Sequence, residues 1–306
     1  MYTYIKNCIR KYPFIPAVAV CLVLGIALSF IAARPGAIAR VLVRLSGTQT
    51  ASVAAAVTSP FFYTFNSNGT LYEAGSMDES SSPYFWLNSG AQLVMQDGIG
   101  KTIQGELAVL SKWRLAYALA NPADTDDGYH PQNIFRLVTR SAWQNFTQEV
   151  DFKIADLNMS ESPNRNESNG ILFFNRYQDD DNLYYTGIRV DGTAVIKKKM
   201  NGVYYTMPQK SFYTAVTPYN RDTNPNLIPG QKWIGLKSEV KTNPDNTVSI
   251  KLFVDKDNTG AWTLAAEARD NGESYDGAAF LNSGYAGIRT DFMDVEFDNY
   301  KLTTLP

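Results

Sequence analysis

The chain has 306 residues, 44% apolar, 13% aromatic and only 19% charged, the composition of a folded protein and not of a disordered one. All six Lys and Arg residues before position 50 (Lys6, Arg10, Lys11, Arg34, Arg40 and Arg44) lie in a stretch without Asp or Glu. The remainder therefore carries 22 basic against 30 acidic residues, about −8, which speaks against a nucleic-acid partner because such affinity comes mainly from cations neutralising phosphates. The only two Cys, Cys8 and Cys21, also lie near the N-terminus, so the body has no disulfide, no thiol nucleophile and no Cys/His zinc site.

Residues 14–33 read FIPAVAVCLVLGIALSFIAA, about 20 apolar or small residues, the length that crosses a ~30 Å hydrocarbon core. The expected organisation is a basic cytoplasmic tail over 1–11, a membrane-spanning signal anchor over 12–33 and a stalk over 34–56. A cleaved signal peptide is the rival, but the apolar stretch is longer than a typical signal core. Each flank carries three Lys or Arg, so the positive-inside count ties and orientation rests on the body. Rich in Asn, Tyr, Ser and Thr and free of Cys, the body is expected to be extracytoplasmic. Four Asn-x-Ser/Thr sequons, at Asn68, Asn145, Asn158 and Asn166, fit that side.

From Ser59 onward apolar residues alternate and turn residues recur at short intervals, which predicts one all-β sandwich over 57–306. In TVSIKLFVD, Val248, Ile250, Leu252 and Val254 fall on one face, and Ile234, Leu236, Ser238 and Val240 repeat the pattern. Asp179 to Asn182, Asp191-Gly192, Asn243 to Asn246 and Asp255 to Gly260 are turn sequences, and Asp191-Gly192 is expected to take positive φ at both positions. Long amphipathic helices are absent after residue 57, and the best candidate for a helical piece, which the pattern does not favour over loop, is around Gly105 to Leu119. The long polar segments Asp156 to Ser168 and Ser211 to Pro229 are expected to gather at one end, where loops carry recognition.

The segment NGILFFNRYQDDDNLYYTGIRVDGTAVIKKKMNGVYYTM, Asn169 to Met207, and the closing SGYAGIRTDFMDVEFDNYKLTTL resemble the middle and last strands of the concanavalin A-like lectin/glucanase superfamily, laminin-G-like domains included. The resemblance covers about Val150 to Leu305. It implies a jelly roll of two curved antiparallel sheets whose concave face binds saccharide in many members. Lectins, glycoside hydrolases, polysaccharide lyases and adhesion modules share this fold, so residues must decide between them.

A glycosidase needs two carboxylates about 5 to 10 Å apart. Asp294, Glu296 and Asp298 in DVEFD fall on one strand face at roughly 7 Å steps, so Asp294 and Glu296 are the candidate catalytic pair, against the plainer reading of a solvated face. The resemblance also implies that a closing-strand Asp, here Asp298, helps to hold a structural calcium ion. A lyase would need cations against a uronate, supplied by Arg136, Arg140, Arg176 and Arg189, and a base such as His130 or Tyr185. A binding role needs only rings to stack on sugar faces, with amides and charges nearby. Tyr184, Tyr185, Tyr204 and Tyr205 are the leading candidates, one of each adjacent pair being expected in the core, with Arg176, Trp143 and Trp113 beside them. Lys197 to Lys199 include at least one outward cation. The expected function is a membrane-anchored glycan-binding domain; the alternatives are a glycan-degrading enzyme on the same fold and a protein-adhesion module.

Overall fold

A computed structural model of the chain describes residues 49–306. The expected tail, the membrane-spanning segment and most of the stalk lie outside the described residues, and among those described no helix is long and apolar enough to cross a membrane.

Alternation builds the strands as the pattern demands. The described residues form β1 (Phe61–Tyr63), β2 (Gly69–Tyr72), β3 (Phe85–Ser89), β4 (Gln92–Gln96), β5 (Ile99–Lys101), β6 (Ile134–Trp143), β7 (Phe146–Leu157) and β8 (Gly170–Asp179). There follow β9 (Asn182–Arg189), β10 (Thr193–Met200), β11 (Val203–Ser211), β12 (Ile234–Thr242), β13 (Val248–Asp255), β14 (Thr263–Asp270), β15 (Gly284–Asp291) and β16 (Met293–Thr304). They pair into two antiparallel sheets. One has nine strands in the order β14-β13-β12-β7-β16-β5-β4-β2 with β1 on β16; the other has seven, β11-β10-β9-β8-β15-β6-β3. This is an all-β sandwich, consistent with a jelly roll.

In β13 the four expected residues Val248, Ile250, Leu252 and Val254 are all fully buried, each such side chain contributing about 1.5–3 kcal/mol by leaving water. Lys251 faces outward between Glu239 of β12 and Glu267 of β14, opposite charges in register across three strands. The main core lies between the sheets, where Phe135, Phe152, Phe173, Ile288 and Phe297 meet.

Two polar devices cross that core. Asn175 of β8 accepts from Gln148 of β7 at 2.9 Å and from Ser238 of β12 at 2.8 Å, and donates to Thr186 at 3.0 Å, so both sheets share one satisfied network. Nearby, Lys198 of β10 and Asp270 of β14 form a fully buried ion pair at 3.0 Å. The Tyr184 hydroxyl donates to Asp270 at 2.6 Å, and Lys198 donates to the Gly277 carbonyl at 2.8 Å.

Two local expectations need correcting. The helix, α1, is shorter than Gly105 to Leu119, running Lys112–Ala120. Gly105 has φ +72 and gives its N–H to the Asp294 carboxylate, which holds that end as loop. The β9–β10 connection takes positive φ at Gly192 but not at Asp191, whose carboxylate instead accepts the Thr193 N–H at 3.0 Å. The mirror-image turn geometry falls on Asn201-Gly202 between β10 and β11, with φ 51 and 84.

Candidate functional site

Strand alternation divides each strand of the seven-stranded sheet between core and outer face. Phe135, Ile288, Phe173, Tyr184 and Ile196 point inward, so Arg136, Arg289, Leu172, Tyr185 and Lys197 point out. Those outward side chains floor a groove of about 480 Å³, within the range of ligand sites. Gly187, level with Leu172 and Val195, helps keep the floor low. A Cβ there would stand 2.1 Å from the Ile171 carbonyl oxygen and 2.7 Å from the Leu172 side chain.

One wall comes from two loops latched together. Asp124 accepts from Ser162 at 2.6 Å and from Asn164 at 2.9 Å, joining the segment after α1 to the β7–β8 loop. Arg165 donates to Asp222 at 3.0 Å and to the Arg221 carbonyl at 2.6 Å, tying the β11–β12 segment to the same wall. Both long polar segments therefore gather at one end of the sandwich. Asn121, Asp124, Asn164, Asn166, Ser168 and Asn169 present amide, carboxylate and hydroxyl groups to the groove.

On the floor, the rings of Tyr185 and Tyr204 lie 5.7 Å apart, inclined at 35°. Tyr204 is 46% exposed, while Tyr185 is buried beneath it. Arg289 holds Asp291 at 2.8 Å through Nε and turns one terminal nitrogen to both tyrosine hydroxyls, 3.4 Å from each. Burial works against the Arg289 charge, but Asp291 outweighs it and raises its pKa further. Burial, eased by Arg289, pushes the Tyr185 hydroxyl up to about 12. At Tyr204 burial also works upward, yet Arg289, Tyr185 and Lys199 prevail and lower its pKa. Lys197 and Lys199 lie 5.8 and 5.1 Å from the Tyr204 ring centre. For the Asp124 carboxyl burial works upward, but hydrogen bonds from Ser162, Asn164 and Asn121 outweigh it and hold the pKa below the ordinary range.

Of the residues expected to bind, only Tyr185 and Tyr204 meet in this groove. Tyr184 faces the core and is spent on Asp270 and the Phe280 N–H. Tyr205 points to the opposite side of the edge strand β11 and donates to Asp276 at 2.5 Å, so neither member of this pair is core. Arg176 is fully buried in a left-handed backbone position, φ 50, and donates to Gln144, Phe280, Asn145 and Thr242. Burial lowers its pKa to about 10. Trp143 and Trp113 are packed in hydrophobic clusters. Tyr184, Arg176 and Trp113 are buried away from this groove, and Trp143 also lies outside it, lining a separate hollow with Ser59, Gln144 and Asn145.

The carboxylates of β16 stand on the other sheet. Val295 and Phe297 point into the core, which turns Asp294, Glu296 and Asp298 to the outer face of the nine-stranded sheet, away from the groove. Asp294 is buried and accepts from Gly105 N–H, Gln132 at 2.9 Å and Asn158 at 3.0 Å. Glu296 pairs with Lys153 at 2.5 Å. Asp298 is level with Asp151, and burial together with that neighbour raises its pKa. These two carboxylates fall short of the six to eight oxygens calcium takes, and among the described residues no group of three or more His, Cys, Asp or Glu is placed to hold a metal ion.

The other cations and the lone histidine have local partners. His130 pairs with Asp126 at 2.9 Å, and Arg140 clamps Ser52 and Ser82. Arg189 secures the Glu167 carbonyl and Asp191. Asn158, one of the sequon asparagines, is buried. Arg289, which follows the core residue Ile288 in the closing Gly-Ile-Arg strand, is a groove residue that the sequence motifs do not single out. Its outward placement follows from alternation; its reach to two tyrosines on distant strands does not.

No protein-family model matches the chain, and no curated protein does. Among solved structures it is similar to a carbohydrate-binding module from Bacillus subtilis, 17% identical, covering 56% of this chain and 82% of that one, with a TM-score of 0.38. A Bacillus licheniformis β-glucanase is 12% identical, with coverage of 82% and 100% and a TM-score of 0.41. A β-1,3-1,4-glucanase from a mouse hindgut metagenome is 10% identical, with coverage of 81% and 100% and a TM-score of 0.43. All three are sandwiches of the concanavalin A-like group. Likeness at this level concerns the sandwich alone.

Proposed function

We propose that this chain is a membrane-anchored, extracytoplasmic glycan-binding domain, and that the glycan lies across the outer face of the seven-stranded sheet. The observation that carries this reading is the half-open ring of Tyr204, seated on Tyr185 in a groove bordered by Asn, Ser and Asp side chains. A sugar offers an apolar face of C–H bonds and a rim of hydroxyls, and this pairing of ring and rim suits both. Anchoring rests on the apolar residues 14–33, and the extracytoplasmic side on the composition of the body.

Hydrolysis is less well supported. A glycosidase acid needs a raised pKa, whereas the Asp124 carboxyl in the groove wall is held low and Asp291 is engaged by Arg289. Elimination on an acidic polysaccharide is the second reading, favoured by Tyr204, whose hydroxyl faces Arg289 and has a lowered pKa.

A glycan array probed with the full chain in detergent micelles, wild type beside Tyr204→Ala, tests the reading. Specific glycan binding that the substitution abolishes supports it; no binding by the wild type, or binding indifferent to Tyr204, overturns it. Ultraviolet absorbance of unsaturated products after incubation with polyuronates separates elimination from binding alone.

A further inference from the structure

The groove lining carries three cations, Arg136, Lys197 and Arg289, against two carboxylates, Asp124 and Asp291, in a body whose overall charge is negative. Arg136 of β6 and Arg289 of β15 are register partners, two like charges set side by side on the outer face. Lys197, level with Tyr185, stands beyond them on β10. The ion pairs on this face are Arg289 with Asp291, Arg136 with Asp180 at 3.4 Å, Arg189 with Asp191 and Lys199 with Asp181. Among the described residues Lys197 takes part in none, and the buried Nε of Arg136 donates to no acceptor. Burial, then Arg189 and Arg289, depress the Lys197 pKa and outweigh the opposite pull of Tyr204 and Asp291. A cation kept half-buried among other cations costs stability, and a bound anion offsets that cost.

We infer that the saccharide held here is anionic, with its carboxylate or sulfate group set against Lys197 and Arg289 and its ring on Tyr204. This rests on the glycan-binding reading and adds the chemical class of the ligand. The Tyr185 and Tyr204 hydroxyls and Arg289 supply donors on one side of the acid group, and Lys197 supplies a movable ammonium on the other.

The test measures affinity of the full chain in detergent micelles for oligouronates, for the same oligosaccharides after carboxyl reduction, and for sulfated and neutral oligosaccharides of similar length. The expected result is binding of an acidic oligosaccharide at least about tenfold tighter than its uncharged counterpart, weakened by salt and lost about tenfold in Lys197→Met. Lys241→Met, on the other sheet, controls for general charge. Comparing the uronate and sulfate arms shows which acid group is recognised. Equal affinity for neutral and acidic forms, or acidic binding unchanged in a folded Lys197→Met variant, overturns the inference and leaves glycan binding standing. No binding of any oligosaccharide overturns both.

Discussion

Arg289 and Tyr204 meet across three intervening strands, a terminal guanidinium nitrogen 3.4 Å from the phenol oxygen. The contact orients the ring but does not cover it, so ring and hydroxyl have separable effects. Tyr204→Phe is expected to weaken glycan binding only a few-fold, whereas Tyr204→Ala removes the stacking surface and is expected to weaken it about tenfold or more. Titration calorimetry on the two variants checks the order; a larger loss in Tyr204→Phe would assign the affinity to the hydroxyl.

The alkaline limb of binding should follow Lys197. Its folded pKa lies below its unfolded value, so between the two the unfolded chain holds more protons and the group's contribution to stability rises with pH. Below the folded pKa the charged ammonium costs stability, and an acidic ligand relieves that cost. Affinity for an acidic glycan is therefore expected to be highest below the folded pKa and to fall as pH rises through it, with proton uptake on binding in that window. A pH series of binding isotherms in two buffers of different ionisation enthalpy measures both; affinity that rises through this range contradicts the assignment.

The core ion pair gives a stability test independent of any ligand. Lys198→Met leaves the Asp270 carboxylate buried with Tyr184 and the Gly272 N–H but no cation. Loss of one partner of such a pair costs about 3–5 kcal/mol, a fall in Tm of roughly 6–20 °C for a domain of this size. Thermal unfolding followed by circular dichroism checks it, and an unchanged Tm would contradict the pairing.

Binding should not depend on the carboxylates of β16. Glu296→Gln alters only the outer face of the nine-stranded sheet and is expected to leave glycan affinity within twofold of the wild type. Asp294→Ala removes the acceptor shared by Gly105, Gln132 and Asn158 and is expected to lower stability by about 1–3 kcal/mol. Parallel melting and binding curves separate the two effects; loss of glycan affinity in a stably folded Glu296→Gln variant would move the site to the opposite sheet.

Much of the sandwich is legible because strand alternation is a local signal. Val248 to Val254 declare their inner face, and Ile288 places Arg289 on the outer one. The site is less legible because its neighbours are distant in sequence: Tyr185, Tyr204 and Arg289 come together only once β8, β9 and β10 fill the space between β15 and β11. Arg176 shows the limit most clearly. Period-two counting does not reveal the φ of 50 that bends β8 and sends the guanidinium to four acceptors on Gln144, Phe280, Asn145 and Thr242. Tyr184 and Tyr185 separate as alternation requires, but Tyr204 and Tyr205 do not divide into core and surface, because an edge strand leaves both partly open.

The most direct test is photo-crosslinking. A diazirine-bearing form of the glycan that binds best would be irradiated on the full chain in micelles and its attachment sites mapped by mass spectrometry. Attachment within residues 182–211 and on the wall segment 158–169, suppressed by unlabelled glycan, is the expected result. Attachment confined to the outer face of the nine-stranded sheet, or none that unlabelled glycan suppresses, would contradict it.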